Sequence, residues 1–301
     1  MFAIMGASGN IGSKITRNLL NHKQMVRVIG RSREKLQSFV SLGADDFVGD
    51  AFDSDFLTNS FNGAKAVYVM IPRDNSVNDL RAQDNKIGQN IKQAIRDSGV
   101  KYVVNLSSLS AYRPDKNGPV KGLYNQEQRL NTLGGINILH LRPAYFMDNF
   151  LRYVDMVKRD GIIASAFKPD LKFPMVSTKD ISDMATQFMQ ERKFSGKVVR
   201  ELRGERDLSF EEATKIIAEK INKPHLKYVQ LSYEEAQKGA ISAGVSLDVS
   251  TQMIELIKSM NEGIIGQHTP RTSENTTPTS FEEFAKTFAG IYYGSSSDQL
   301  I

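Results

Sequence analysis

FAIMGASGNIGSKITRNLL, residues 2–20, begins with an apolar run, breaks at Gly6, and resumes with Ile11, Ile15 and Leu19 at helical spacing. The break carries glycines at 6, 9 and 12. A strand, a glycine-rich turn and a helix in that order make a phosphate cradle. Glycines allow the tight turn and a close approach by an anion. The helix start then offers free N–H groups and the positive end of its dipole. The stretch therefore predicts a dinucleotide site at Gly6, Ser8, Gly9, Asn10, Ile11 and Gly12. The spacing is G-x-x-G-x-x-G, not the tighter G-x-G-x-x-G.

Outward from this turn, apolar runs alternate with amphipathic stretches. Strands are expected at 25–29, 46–48, 66–71, 100–106 and 136–141, and helices at 34–42, 79–98 and 123–133. The run AVYVMI at 66–71 is continuously apolar, as in a strand buried on both faces. Such alternation implies parallel strands with helical crossovers, a doubly wound α/β sheet. The second strand ends in GRSREK, residues 30–35. Arg31 stands where a cofactor lacking a 2′-phosphate would call for an acid, and a guanidinium suits that phosphate. Arg31, with Lys35 assisting, thus predicts NADP(H) in preference to NAD(H). Asp50, closing the third strand, is expected near the adenine. Ile71, Pro72, Ser107 and Pro143 follow strands four, five and six, at the carboxyl ends where open sheets bind ligands.

Past Leu151 the pattern turns mainly helical. Ser209-Phe-Glu-Glu212, Ser232-Tyr-Glu-Glu235 and Ser280-Phe-Glu-Glu283 each fit a capping box. The expected organisation is a nucleotide-binding part over 1–150, with a helix and strand returning to it at about 178–202. Residues 151–177 and 203–301 form a smaller, mainly helical part that binds substrate or a partner. HTPRTSENTTPT at 268–279 reads as a loop, and the tail from Gly294 as frayed.

Composition removes other classes. The chain of 301 residues has no cysteine, which excludes disulfides, thiolate metal sites and a cysteine nucleophile. Its four histidines share no metal-ligand spacing, so no metal is expected. The net charge of +5 is dispersed among acids, against direct binding of nucleic acid. No apolar run nears the ~20 residues that span a bilayer, so no membrane partner is expected. With no signal-peptide pattern, the expected location is cytoplasmic. Neither Gly-x-Ser-x-Gly nor a Walker A motif occurs.

GASGNIG at 6–12, GRSREKL at 30–36, VGDAFD at 48–53 and NLSSLSAY at 105–112 together resemble the atypical short-chain dehydrogenase/reductases. LRPAYFMDNF at 141–150 and FPMVSTKDISDMA at 173–185 look like the NmrA-like family among them. That resemblance implies a Rossmann-type doubly wound parallel sheet, an NADP(H) site and a cleft between the two parts. The family contains NADPH-dependent quinone reductases. It also contains redox-sensing regulators without enzymatic activity, which would bind a partner protein.

Reductases of the wider superfamily use Tyr-x-x-x-Lys. The nearest match is Tyr124 followed by Gln128 at i+4, so the catalytic candidates are this pair. Gln128 supplies no charge, which weighs against a ketone reductase more than against a quinone reductase, whose product oxygens can take protons from water. Tyr145, Phe146 and Met147 are expected to wall a small, planar, electron-poor substrate. A homo-oligomer or a regulatory protein partner is compatible with the same surface pattern.

Overall fold

The computed structural model describes residues 1–266, 269–294. A central sheet has β1 (Phe2–Met5), β2 (Val26–Gly30), β3 (Asp45–Val48), β4 (Ala66–Val69), β5 (Tyr102–Leu106), β6 (Asn137–Pro143) and, returning later, β10 (Lys197–Leu202). Its order is β10-β6-β5-β4-β1-β2-β3, and every pairing is parallel. The order reverses between β1 and β4, which places a crevice beyond their carboxyl ends. β1 and β4 are buried along their whole length, which explains the unbroken apolar runs.

Helices cover both faces: α1 (Asn10–Asn21), α2 (Arg33–Val40), α3 (Ser54–Phe61), α4 (Leu80–Asp97) and α5 (Lys121–Asn131). Sequence periodicity passes over α3, whose eight residues are started by Asp53 accepting from the amides of Asp55 and Phe56. α6 (Val154–Asp160) precedes α7 (Thr178–Glu191), which packs on α1, and β10 pairs with β6.

The remainder carries α8 (Phe210–Lys220), α9 (Tyr233–Ser242), α10 (Leu247–Asn261) and α11 (Phe281–Tyr292). It also carries short strands that the sequence does not announce. β7 (Tyr145–Phe146), β9 (Phe173–Val176) and β11 (Asp207–Leu208) form one small sheet, and β8 (Ile162–Ser165) pairs with β12 (Lys227–Gln230). Their cores are aromatic. Phe150, Phe167, Phe173, Phe210 and Phe281 lie within 4.8–6.2 Å of one another, centroid to centroid, in five pairs. The capping boxes at Ser209 and Ser232 are complete. At Ser280 only the forward bond forms, because Glu283 turns to Lys286.

The loop over 269–279 is tied down. Arg203 N donates to Asn275 O at 2.7 Å, and the Thr279 N and Oγ1 both donate to Asp180, at 3.0 and 2.5 Å. The readings made for His268 and for the tail after Gly294 lie outside the described residues, apart from Gly294 itself.

His140 sits in β6 with 1% exposure. Asn105 Nδ2 is 3.1 Å from its Nδ1, and its Nε2 is 3.0 Å from Asn131 Oδ1, an arrangement that suits the neutral ring. Burial lowers its pKa from 6.5 to about 4. The unfolded chain therefore takes up this proton first on acidification. Stability should be full above pH 6.5 and fall between there and about pH 4, by at most ~3 kcal/mol. In His140→Gln the urea midpoint should depend less steeply on pH across that window than in the parent; equal slopes would refute the assignment.

Candidate active site

The turn after β1 is shaped by two contacts. Gly6 has φ +69, and a Cβ there would fall 3.1 Å from the Met70 sulfur at the end of β4. A Cβ on Gly12 would fall 2.3 Å from the Gly6 carbonyl oxygen, so α1 can approach the turn only with glycine there. Gly9 N donates to Gly6 O at 2.9 Å and closes the loop. Gly9 then stands as the N-cap of α1 without any side-chain cap, and the first turn holds no acid. The neighbouring helices differ: Ser32, Asp53 and Asp79 cap α2, α3 and α4. The start of α1 is thus the uncapped one at the sheet's reversal point, and it fits an anionic pyrophosphate. Ser8, Gly9 and Asn10 are exposed there, whereas the Ile11 side chain is 7% exposed and belongs to the core.

Arg31 is exposed beyond β2 and makes no ion pair among the described residues. Its charge contributes to holding the Asp74 carboxyl below the usual range, an effect that comes chiefly from two hydrogen bonds from Ser76. Lys35 is exposed one turn later, its amide accepted by Ser32 Oγ. Asp50 is exposed and accepts from Phe52 N. Lys14 leaves α1 to bond Asn10 O and Thr178 Oγ1 at 3.2 and 3.1 Å, and Thr178 in turn donates to Asp148. Burial lowers the pKa of this ammonium, while Asp148 opposes the shift.

Beyond the carboxyl ends of β4, β5 and β6 lies a cleft of about 540 Å³. Ile71, Ser107 and Pro143 line it, and so do Ser108, Tyr145 and Phe146. Pro72 follows Ile71, half-buried and off the lining. The far wall was not foreseen: Val249, Met253, Leu256, Ile257 and Met260 of α10 present one apolar stripe to the cleft. Asp248 fixes that helix by accepting Leu80 N at the start of α4, at 3.0 Å, and Ser246 N donates to Asn75 O at 2.9 Å.

Three expected residues are elsewhere. Met147 is 1% exposed, packed in the core of the smaller part, and has no face on the cleft. Tyr124 and Gln128 are also absent from the lining, which α5 supplies through Leu123. The phase of α5 turns Gln128 to solvent. Lys121 lies over the Tyr124 ring, 5.0 Å from its centroid.

On the inward face of α5, one turn from Leu123, is Glu127, 1% exposed. Arg142 donates Nε and Nη2 to its two oxygens at 2.9 and 2.5 Å, and Ser107 Oγ donates to Oε1. The Ser107 proton is therefore committed inward, and its lone pairs remain for a donor in the cleft. Burial raises the Tyr145 phenol well above its ordinary value, so it holds its proton at neutral pH.

These features match known proteins. Residues 1–285 fit the profile of the NmrA-like family. The chain belongs to that family. Prestalk A differentiation protein A of Dictyostelium discoideum is 24% identical over 307 residues, 99% of this chain and 96% of that protein. An NAD(P)H azoreductase of Xenophilus azovorans is 22% identical over 297 residues, 97% and 99%. The fold is also that of Citrobacter sp. triphenylmethane reductase complexed with NADP(H), at TM-score 0.78 and 19% identity over 96% of this chain and 99% of that one.

In the Glu127–Arg142 pair the carboxylate is buried and the guanidinium largely covered, at 2% and 14% side-chain exposure. Removing one partner leaves the other charge unpaired, at a cost of ~3–5 kcal/mol. Glu127→Gln and Arg142→Gln should each destabilise on that scale by urea titration. The double variant should cost clearly less than their sum; strict additivity would show that the pair is not coupled.

Proposed function

We propose that this protein is an NAD(P)H-dependent oxidoreductase that uses NADPH to reduce a planar, electron-poor acceptor such as a quinone. The observation that carries this reading is the cleft: apolar and aromatic, some 540 Å³, it opens beside the uncapped glycine turn at the carboxyl ends of β4–β6. Its size suits a small conjugated molecule. The azoreductase and dye-reductase likenesses support the same class of acceptor.

The reduced nicotinamide supplies the hydride when bound. The chain's own residues do the rest. The amides at the start of α1 hold the pyrophosphate, and Arg31 with Lys35 reads the 2′-phosphate. Ser107, its own proton held by Glu127, accepts a hydrogen bond in the cleft. Tyr145 and Phe146, with the α10 stripe, line the cleft and would hold the acceptor flat, its oxygens left open to solvent. The reduced acceptor's oxygens take protons from solvent, for no carboxylic acid lines the cleft among the described residues. That same lack favours one rival, a non-catalytic NADP(H) sensor, in which cofactor binds and no acceptor turns over.

The near-ultraviolet absorbance of NADPH should fall when a panel of quinones is added; silence across the panel would select the sensor. Arg31→Ala should weaken NADPH by roughly 10- to 150-fold, as expected for one charge-assisted pair of ~1.5–3 kcal/mol, and leave NADH nearly unchanged. Equal losses by calorimetry would remove Arg31 from the specificity argument.

Tyr124→Phe should lower kcat by less than about tenfold, because general acid catalysis worth ~10²–10⁴-fold requires contact with the reacting group. A thousandfold loss would restore Tyr124 as the proton donor.

A further inference from the structure

The cleft lining holds two arginines, Arg73 and Arg152, and no aspartate or glutamate among the described residues. The two differ in what surrounds them. Arg73 already donates to Pro119 O and lies 3.8 Å from the buried Asp84 carboxylate. Arg152, an exposed residue of the lining, has no carboxylate within ion-pair distance among the described residues. It is nevertheless held: Nε donates to Asn149 O at 2.9 Å and Nη2 to Asn149 Oδ1 at 2.7 Å. That two-point hold fixes the plane of the guanidinium and leaves Nη1 free. Its charge reaches the aromatic wall, where it opposes the burial-driven rise of both the Tyr145 and Tyr153 phenols.

A cationic fork, aimed by a neighbouring amide and lacking a protein anion, is a site for an anionic group. We propose that Arg152 is a specificity-determining residue, and that the acceptor is a planar apolar molecule bearing a carboxylate or sulfonate read by this guanidinium. The proposal rests on the reductase reading for its acceptor, but binding alone tests the anion.

The test uses a naphthoquinone sulfonate, its neutral parent naphthoquinone, and a naphthoquinone carrying a trimethylammonium group. Affinity by calorimetry and KM with NADPH are both measured. The parent protein should favour the sulfonate over the neutral quinone by about 5- to 30-fold, and should bind the cation most weakly. In Arg152→Gln the sulfonate preference should shrink to within about twofold, in Arg152→Glu it should invert, and in Arg152→Lys it should partly survive. Thermal midpoints near the parent's would show that the variants fold. Tighter binding of the sulfonate without turnover of any quinone supports the anion site and removes the reductase reading. Turnover of all three with no sulfonate preference, or a preference unchanged in Arg152→Gln, overturns the anion site and leaves the reductase reading standing. Failure of all three to bind or react overturns both.

Discussion

The approach of α1 to the turn after β1 is the contact on which the rest depends. With Gly12 seated against the Gly6 carbonyl, no side chain separates helix from strand. The helix axis is thereby aimed at the gap between β1 and β4, and its first amides emerge where the sheet order reverses. Any larger residue at position 12 would push the backbone of α1 outward and turn those amides away. The absence of a capping side chain at Gly9 then has a meaning that the capped starts of α2, α3 and α4 make plain. Three neighbouring helices satisfy their own N-termini, and α1, which opens at the reversal point, does not.

A second constraint joins the sheet to the smaller part. Three of its connections are alike: Asp248 to the start of α4, Asp148 to Thr178, and Asp180 to Thr279. Each is a carboxylate accepting a backbone N–H, which fixes direction as well as distance. Through the first of them α10 is set across the cleft with its Met and aliphatic stripe inward. The far wall of the cleft is therefore positioned by a hydrogen bond to a helix of the central sheet. The geometry of one part is inherited by the other.

The sheet was legible because buried parallel strands read as unbroken apolar runs, and six of the seven lie within the first half of the chain. The glycine turn was legible because its residue types have few other uses. The two small sheets were not, since strands of two to four residues leave no period to read. The stripe on α10 was visible as periodicity, but an apolar face looks the same whether it meets a core or a cleft. Glu127 was hidden in the polar run Asn-Gln-Glu-Gln-Arg. Arg142 did carry a signal: a charge inside the apolar strand ILHLRP demands a buried partner. Which acid answers it, only the fold could show.

The phase of α5 explains why a familiar template misleads here. Leu123 and Glu127 are one turn apart, as are Tyr124 and Gln128, and the two pairs differ by about 100° around the axis. The packing of α5 on α4 and β6 chooses the first pair for the interior. Glu127, once turned inward, must be neutralised, and the largely covered Arg142 of β6 does so, which favours this rotation of the helix. Tyr124 is then carried off the cleft and settles beneath Lys121. An i, i+4 match in sequence thus states only that two side chains share a face. Which face looks into the cleft is decided by the strongest buried charge on the helix, and here that charge lies one residue before Gln128.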